Sequence, residues 1–273
     1  MKNIWMYWED IGRGMPEFVR LCIASVTRHK GSATVHMLDQ KSVFEFLPNL
    51  RPEWHQLRSP AHKADYIRTR LALKYGGMWL DCDMAALRPL EPLFDFPARY
   101  DFACQGIDGA IGCFVARSGC ELLERITRAQ DEVLDKNPQD FPWNGIGNDL
   151  LKKLGVDYKY HEWQRWTLDE IAGGKVSKLL STQEKLADNL DRNAVIFHFC
   201  GNILTPLLRT YARHQHQNAL HERMLLSQIF RHAMGLNEPK TPEFLPSLAR
   251  LQDAGDAVAR RLSRIRKSAD SST

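Results

Sequence analysis

Residues 62–84 constrain the fold of this chain most, because they combine a helical pattern, a glycine stop and a short apolar run. Apolar side chains recur at helical spacing over the first part of the stretch: Ala64, Ile67, Leu71 and Tyr75. Gly76-Gly77 ends the helical pattern, and Met78-Trp79-Leu80 predicts a buried strand. Asp81 and Asp83 follow at the carboxyl end of that strand, where open α/β sheets bind their ligands. We therefore expect an α/β protein with a ligand site at this edge of its sheet.

Asp81 and Asp83 are separated by one residue, and two carboxylates on one side of a strand end can hold a divalent cation. The triplet alone is weak evidence, because a chain with roughly 5% Asp contains about one Asp-x-Asp by chance at this length. The alternative is a hydrated pair of loop carboxylates that binds no metal. The prediction of a metal site therefore depends on the residues around the triplet.

The composition is that of an ordinary globular protein. The chain has 273 residues, of which 44% are hydrophobic and 26% charged, enough for one large α/β domain or two small ones. No run approaches the ~18 consecutive apolar residues of a membrane span, and the first residues lack a signal-peptide pattern, so we expect a cytoplasmic protein. The formal net charge of +4 is modest, and we expect no nucleic-acid partner.

The rest of the chain continues the α/β pattern. Apolar or alternating runs predict further strands at residues 3–8, 33–38, 101–104, 111–116 and 194–199. Helical patterns predict helices after Pro16, at residues 120–133 with Ser118 as the candidate cap, and at residues 149–154. A β-α-β start of this kind implies parallel strands with a right-handed crossover.

The character of the chain changes near residue 235. Residues 237–246 contain three prolines, and the segment that follows is basic and has apolar residues at helical spacing. We therefore predict a main domain over residues 1–235 and a proline-containing linker with a basic amphipathic extension over residues 236–273. Such a helix can lie on an anionic membrane surface as a peripheral contact, or it can be a solvated helix, and the sequence leaves both readings open.

Several stretches of this sequence resemble sugar transferases with a DXD sequence. They are Ala64-Asp65-Tyr66-Ile67-Arg68, Tyr75-Gly76-Gly77, Trp79 and Asp81-Cys82-Asp83. In particular they look like the bacterial capsular-polysaccharide-synthesis proteins and the related glycosyltransferase family 32. The opening Ile4-Trp5-Met6-Tyr7-Trp8 is similar to the N-terminus of the capsular group. The resemblance covers about residues 3–205.

The resemblance implies a GT-A type, Rossmann-like fold with a mostly parallel sheet flanked by helices. It implies an enzyme that moves a hexosyl group from a nucleotide-sugar, preferably a UDP-sugar, to a surface-polysaccharide or lipid-linked glycan acceptor, with retention of anomeric configuration. Mn²⁺ or Mg²⁺ would be the cofactor, because a cation held by carboxylates can neutralise a leaving diphosphate. The enzyme would work in the cytoplasm, at the inner face of the plasma membrane if the extension binds there.

The resemblance also implies a donor site. Asp65, Arg68 and Asp81 would contact the donor sugar and diphosphate, and Gly201 and Asn202 would approach the diphosphate. Asp81, Asp83 and His198 would be the metal ligands. Two simpler readings stay open: Asp65 and Arg68 are three apart and can form a plain intrahelical ion pair, and a histidine in an apolar strand is usually a core residue. The Trp that usually follows the Gly or Ser in this family is missing after Gly201.

Aromatic and loop residues complete the candidate set. Trp5 and Tyr7, near the end of the first strand, are candidates to stack the nucleotide base, with core packing as the alternative. Asn148 and Asp149 are the catalytic candidates, because similar enzymes carry a glycine-containing loop near the sugar there. Asp149 can equally be a helix N-cap.

Two other functions compete with a transferase. Leu80-Asp81-Cys82-Asp83 also resembles the haloacid-dehalogenase phosphatases, in which a strand-end Asp such as Asp81 is the nucleophile. Those proteins usually begin with that strand, whereas about 80 residues precede it here. A non-catalytic scaffold of capsule assembly is the third reading. The sugar, nucleotide, acceptor, linkage and oligomeric state cannot be deduced from the sequence.

Overall fold

The computed structural model describes residues 2–105, 110–155, 161–163, 176–190, 193–201, 204–205 and 223–237. The described residues fall into two compact units, between which the chain passes several times. The first unit comprises Met1–Gly14, Lys30–Cys82 and Pro89–Arg165. The second unit comprises Met15–His29, Asp83–Arg88 and the described part of Trp166–Thr273.

The described residues form eight strands and eight α-helices. The strands are β1 Asn3–Tyr7, β2 Thr34–Leu38, β3 Gly77–Leu80, β4 Met84–Ala86, β5 Phe102–Gln105, β6 Ala110–Ala116, β7 His161–Trp163 and β8 Ile196–His198. The helices are α1 Glu17–His29, α2 Val43–Phe46, α3 Pro60–Tyr75, α4 Glu121–Lys136, α5 Asn148–Gly155, α6 Val176–Leu179, α7 Leu186–Asn189 and α8 Leu225–Met234. Two 3₁₀ helices lie at Pro52–Gln56 and Glu91–Ala98.

The first unit is built on a six-stranded sheet in the order β2-β1-β3-β6-β5-β7. Strand β1 pairs in parallel with β2 and β3, and β5 pairs in parallel with β7, whereas β6 is antiparallel to both β3 and β5. Every residue of β1 is buried, as expected for a central strand covered on both faces. The predicted α/β class with a mostly parallel sheet is confirmed.

Helix α3 leads into β3 through a turn that only glycine can make. Ser59 accepts a hydrogen bond from the His62 N–H, and Pro60 occupies the first turn, which is the usual start of a helix. Gly76 and Gly77 have φ of +66° and +104°, and a Cβ on Gly77 would lie 2.5 Å from the Asn3 carbonyl oxygen. The glycine pair thus lets β3 pair closely with β1. The predicted helix, glycine stop and strand are confirmed.

The start of α4 differs from the prediction. The helix begins at Glu121 after Cys120, and no side chain caps it. Ser118 instead donates its hydroxyl to the Lys74 carbonyl at 2.9 Å, and the Gly119 N–H donates to the Leu73 carbonyl at 2.8 Å. The last carbonyls of a helix have no hydrogen-bond partner within the helix. Those of α3 accept hydrogen bonds from Ser118 and Gly119 instead.

The second unit packs α1 against β4 and α8. Strands β4 and β8 pair antiparallel, with Met84 opposite His198, and the Ser25 hydroxyl accepts a hydrogen bond from the Ala86 N–H. Phe199 forms aromatic contacts with both Phe18 and Phe230. The late apolar strand is confirmed, although it is shorter than residues 194–199. Strand β4 was not predicted, because three small or flexible residues carry no strand signal.

Among the described residues, no helix is long and apolar enough to cross a membrane. The predicted extension, apart from residues 236–237, lies outside the described residues. The boundary at residue 235 therefore stays a prediction.

Candidate active site

Three charged side chains meet at the carboxyl end of β3 in the first unit. Arg68, on α3, places its Nη2 3.1 Å from Asp65 Oδ1 and 2.8 Å from Asp81 Oδ1. The Arg68 side chain is 5% exposed, and those of Asp65 and Asp81 are 15% and 29% exposed. The predicted pairing of Asp65 with Arg68 is present, and Asp81 joins it as a third member.

Arg68 is fully engaged inside the protein. Besides the two carboxylates, it donates to the Ala64 carbonyl at 3.3 Å and to the Ile111 carbonyl at 2.7 Å. Its guanidinium also lies 5.0 Å from the centre of the Trp79 ring, and the Trp79 indole N–H donates to Asp81 Oδ1 at 2.8 Å. Arg68 is therefore placed to orient the two carboxylates. This role of Trp79 was not predicted, although the two-residue strand period places it on the same side as Asp81.

The electrostatics of this cluster single out Asp65. Burial raises the pKa of Asp65, Arg68 counteracts that effect, and the Asp81 charge adds to it, so that the pKa is about 6. A carboxyl group of this kind changes its charge close to neutral pH. Carboxylates with such raised values are found at functional sites more often than elsewhere.

The loop before α5 packs directly against Asp65. A Cβ on Gly147 would lie 2.8 Å from Asp65 Oδ2, so a larger residue there would collide with the carboxylate. The Gln130 side-chain amide donates to the Asp65 carbonyl at 2.9 Å and to the Ile146 carbonyl at 2.7 Å. Gln130, which the sequence analysis missed, thus ties the loop to α3.

The two predicted catalytic residues begin α5. The Asn148 side-chain oxygen accepts a hydrogen bond from the Ile111 N–H at 3.0 Å, so that Asn148 anchors the start of β6. Asp149 is exposed in the first turn of α5. A carboxylate in that position interacts favourably with the helix dipole, but α5 already begins at Asn148, so Asp149 is not the N-cap that the sequence offered as the alternative. A catalytic role for either residue stays a prediction.

The second unit holds Asp83 and His198 side by side. The His198 Nε2 lies 3.4 Å from Asp83 Oδ2, and the Gly201 N–H donates to the same oxygen at 2.5 Å. The Phe199 N–H donates to the Asp83 carbonyl at 2.9 Å. The other carboxylate oxygen, Asp83 Oδ1, is buried and has no hydrogen-bond partner among the described residues.

Asp83 and His198 stabilise each other's charged forms. Burial would raise the pKa of Asp83, but the neighbouring His198 and the Gly201 N–H outweigh it and lower that pKa. Burial likewise opposes protonation of His198, but the Asp83 carboxylate outweighs it and raises the pKa well above the usual range. Cys200, which lies in the chain between Phe199 and Gly201, has a φ of +49°. Backbone strain of this kind is common at functional sites.

The predicted metal ligands are divided between the two units, with Asp81 in the first and Asp83 and His198 in the second. In the described parts of the chain, no group of three or more His, Cys, Asp or Glu side chains forms a metal-binding cluster. The second unit nevertheless offers a carboxylate with an unpartnered oxygen next to an imidazole, both of which bind divalent metals. Asn202 lies outside the described residues.

The candidates for the base site lie near the end of β1. Trp5 is 1% exposed, stacks on His36 at 4.2 Å between ring centres and donates its indole N–H to the Gly76 carbonyl. This burial corrects the prediction for Trp5, because its ring belongs to the core. Tyr7 donates its hydroxyl to Glu9 at 2.9 Å. A base-binding role for Tyr7 stays a prediction.

The first part of the chain is similar to a known protein family. Residues 1–99 match the family described as "Capsular polysaccharide synthesis protein". This match confirms the resemblance to that family over the segment that contains Asp65, Arg68, Asp81 and Asp83. The more specific resemblance to glycosyltransferase family 32 stays a prediction.

A curated relative is the O-glycosyltransferase PaGT of Phomopsis amygdali, which is 29% identical over 119 residues. The match covers 37% of this chain and 29% of that protein. The chain therefore aligns with less than a third of the length of this relative.

Solved structures of glycosyltransferases are more distant. The apo form of GlyE from Streptococcus pneumoniae is 14% identical, with a TM-score of 0.47 over 72% of this chain and 54% of that one. Mouse xyloside xylosyltransferase 1 is 9% identical, with a TM-score of 0.49 over 74% and 98% of the two chains. Both scores are below 0.5.

Proposed function

We propose that this protein is a nucleotide-sugar glycosyltransferase. In this proposal it transfers a hexosyl group, preferably from a UDP-sugar, to a surface-polysaccharide or lipid-linked glycan acceptor. The observation that carries the proposal is the cluster of Asp65, Arg68 and Asp81 at the carboxyl end of β3. The family match supports the proposal, because all three residues of the cluster lie within the matched residues 1–99.

The cluster has the chemistry that a sugar donor requires. Carboxylates accept hydrogen bonds from hydroxyl groups, and Asp65 and Asp81 are held in fixed positions by Arg68. Fixed acceptors bind a polyhydroxylated ligand at a low cost in conformational entropy. In this proposal Asp65 and Asp81 bind donor hydroxyls, and Arg68 acts as their positioning residue.

Asp83 and His198 would hold Mn²⁺ or Mg²⁺. The unpartnered Asp83 Oδ1 and the neighbouring imidazole are the donor set that supports this assignment, and these cations often use one or two protein groups together with water and substrate phosphates. When bound, the cation would neutralise negative charge on the leaving diphosphate. Asp81, the third predicted ligand, belongs to the first unit, and its role as a metal ligand stays a prediction.

Retention of configuration is part of the proposal. The sequence offers no obvious nucleophile, so we propose a same-face reaction without a covalent enzyme intermediate. The acceptor oxygen forms a bond to the anomeric carbon as the bond from that carbon to the diphosphate oxygen breaks. The acceptor proton passes to the leaving phosphate, and atoms and charge balance.

A screen of UDP-, GDP- and CMP-sugars by thermal shift, with and without Mn²⁺, tests the donor class. We expect at least one donor to raise the melting temperature in the presence of Mn²⁺, because a ligand that binds only the folded state stabilises it. Asp65→Asn should lose this shift, and Asp140→Ala, a change of an exposed Asp in the first unit, should keep it. If no nucleotide-sugar binds, the proposal fails.

The phosphatase reading fits the contacts of Asp81 less well. The candidate nucleophile has its Oδ1 engaged by both Arg68 and Trp79, which lowers the reactivity of that oxygen. Hydrolysis of p-nitrophenyl phosphate that is lost in Asp81→Asn and kept in Asp83→Ala would favour a phosphatase. Metal-dependent hydrolysis of a nucleotide-sugar would exclude the scaffold reading.

A further inference from the structure

Trp143 is an exposed aromatic ring on the loop before α5. Its exposed fraction is 55%, whereas the other large aromatic side chains near it, Phe141 and His62, are partly or fully buried. Large aromatic rings usually lose most of their exposure on folding. A ring that stays exposed on an ordered loop is therefore a candidate contact for a ligand.

The loop holds Trp143 in a defined position. Tight turns fix the backbone on its C-terminal side, where the Gly145 N–H donates to the Pro142 carbonyl at 2.8 Å and the Gly147 N–H donates to the Asn144 carbonyl at 2.9 Å. The His62 Nε2 lies 3.2 Å from the Trp143 carbonyl, to which it donates. The backbone around the ring is thus anchored, although more than half of the residue remains exposed.

His62 contacts the Trp143 ring. Its ring centre lies 5.1 Å from that of Trp143 and 4.9 Å from that of Phe141. Since Nε2 carries the proton that is donated to Trp143, Nδ1 is an acceptor, and it is buried with no hydrogen-bond partner among the described residues. Leaving a buried polar atom unpaired lowers the stability of the folded protein. A contribution to stability therefore does not explain why a histidine occupies this position.

The loop that carries Trp143 contacts the cluster that we assign to the donor. Gly147 touches Asp65, with only 2.8 Å between a Cβ at that position and Asp65 Oδ2. Trp143 precedes Gly147 by four residues, so that the two backbones are at most about 14 Å apart. All of these residues belong to the first unit. A ligand in contact with Trp143 is thus within reach of a sugar bound at Asp65.

We propose that the Trp143 ring is a stacking platform for a sugar ring of the acceptor glycan. The C–H groups on one face of a pyranose carry partial positive charge, and the face of an indole ring is negative. This proposal rests on the proposed function and specifies its acceptor as a saccharide with an apolar ring face. His62 is the positioning residue of the platform.

Saccharide binding by the full-length protein tests the platform without relying on turnover. The probes are free lactose, maltotriose and chitobiose in saturation-transfer NMR and an array of immobilised bacterial surface glycans. We expect the wild type to bind members of this set and Trp143→Ala to bind them about five- to tenfold more weakly, as for the loss of one aromatic contact. Trp143→Phe should keep most of the affinity, and Met37→Ala, which shortens another exposed apolar side chain, should keep all of it.

Donor binding separates the two proposals. Trp143→Ala should keep the nucleotide-sugar thermal shift of the wild type, and in a transfer assay its acceptor KM should rise while its donor KM is unchanged. His62→Ala should weaken saccharide binding, and His62→Gln, whose amide can donate to the Trp143 carbonyl, should restore part of it. Unchanged glycan binding by Trp143→Ala, or no glycan bound by the wild type, overturns the platform. Glycan binding without donor binding overturns the proposed function and leaves the platform.

Discussion

At the scale of single residues, Asp65 and Asp83 show how the fold holds carboxylates in unfavourable surroundings. Asp65 is largely buried with a pKa of about 6, and Asp83 has one oxygen without a partner among the described residues. Both features lower stability, because ionised or unpaired polar groups are costly to bury. Residues kept at such a cost are typical of functional sites.

Asp65→Asn should change how stability depends on pH. The pKa of Asp65 in the folded state, about 6, is above its ordinary value of 3.8, so the folded state binds the proton more tightly. The stability from this group is fully present below pH ~4 and is lost as the pH rises through ~6. A shift of this size corresponds to about 3 kcal/mol.

Urea unfolding of wild type and Asp65→Asn at pH 4, 6 and 8 measures this effect. The free energy of unfolding of the wild type should fall relative to that of Asp65→Asn between pH 4 and pH 8, because other titrations are common to both proteins. Asp140→Ala should show the pH dependence of the wild type. Parallel pH profiles for wild type and Asp65→Asn would show that Asp65 titrates normally.

Asp83→Ala should abolish Mn²⁺ binding and reduce transfer by a factor of at least about 100, as expected when a metal ligand is lost. Because the variant also removes the oxygen that pairs with His198 and Gly201, circular dichroism of Asp83→Ala checks that the fold survives. Calorimetric titration with Mn²⁺ and a transfer assay in excess EDTA measure the two effects. Asp188→Ala, an exposed change in the same unit, is the control. Full wild-type turnover in EDTA would contradict the metal proposal.

At the scale of elements, the unit formed by α3, the glycine turn and β3 carries most of the candidate donor site. The helix supplies Asp65 and Arg68, and the strand ends at Leu80, directly before Asp81. The glycine turn connects them while β3 pairs with β1, so the geometry of the charged cluster depends on Gly76 and Gly77. A change in this turn should therefore affect both stability and donor binding.

Gly77→Ala tests this turn against a matched glycine. Both Gly77 and Gly119 have a positive φ, but a Cβ on Gly77 would lie 2.5 Å from the Asn3 carbonyl oxygen, whereas a Cβ on Gly119 would have nothing within 4 Å. Gly119→Ala should cost about 1–2 kcal/mol of backbone strain, and Gly77→Ala should cost about 1–3 kcal/mol more because of the collision. Chemical denaturation of both variants measures the difference. Equal losses would show that backbone strain alone makes Gly77 necessary.

At the scale of the whole molecule, the chain combines the two described units with a basic C-terminal segment. We propose that residues 236–273 bring the protein to the inner face of the plasma membrane, because the segment has basic and apolar residues at helical spacing. The proposal follows from the sequence pattern alone. It would place a lipid-linked acceptor and the enzyme on the same surface.

Truncation after residue 235 should reduce the fraction of protein that sediments with vesicles containing anionic lipid. High salt should reduce sedimentation of the full chain as well, because salt screens the attraction between basic side chains and anionic lipid. Donor thermal shifts should be unchanged, which shows that the truncated protein is folded. Vesicles of neutral lipid provide the control. Unchanged recovery of the truncated protein with anionic vesicles would exclude the membrane role.

Much of the fold and part of the candidate site could be predicted from local patterns. The helical spacing of residues 64–75, the Gly76-Gly77 stop and the apolar run before Asp81 predicted α3, the turn and β3, because each signal lies within a few residues. The pairing of Asp65 with Arg68 follows from their spacing on one helix. Strand β4 and the role of Ser118 could not be predicted, because both depend on partners distant in the sequence: β8 for the former and the end of α3 for the latter.

By itself, the sequence determined the element pattern, the family resemblance and the identity of the charged residues. Only the tertiary structure decided their environments. In the folded protein Trp5 is buried in the core, and Arg68 pairs with two carboxylates. Asp83 Oδ1 has no hydrogen-bond partner among the described residues, and Trp143 is exposed. The physical reason is that helical and strand periodicity depend on neighbours along the chain. Burial, pKa and hydrogen bonding depend on neighbours in space, which the sequence does not list.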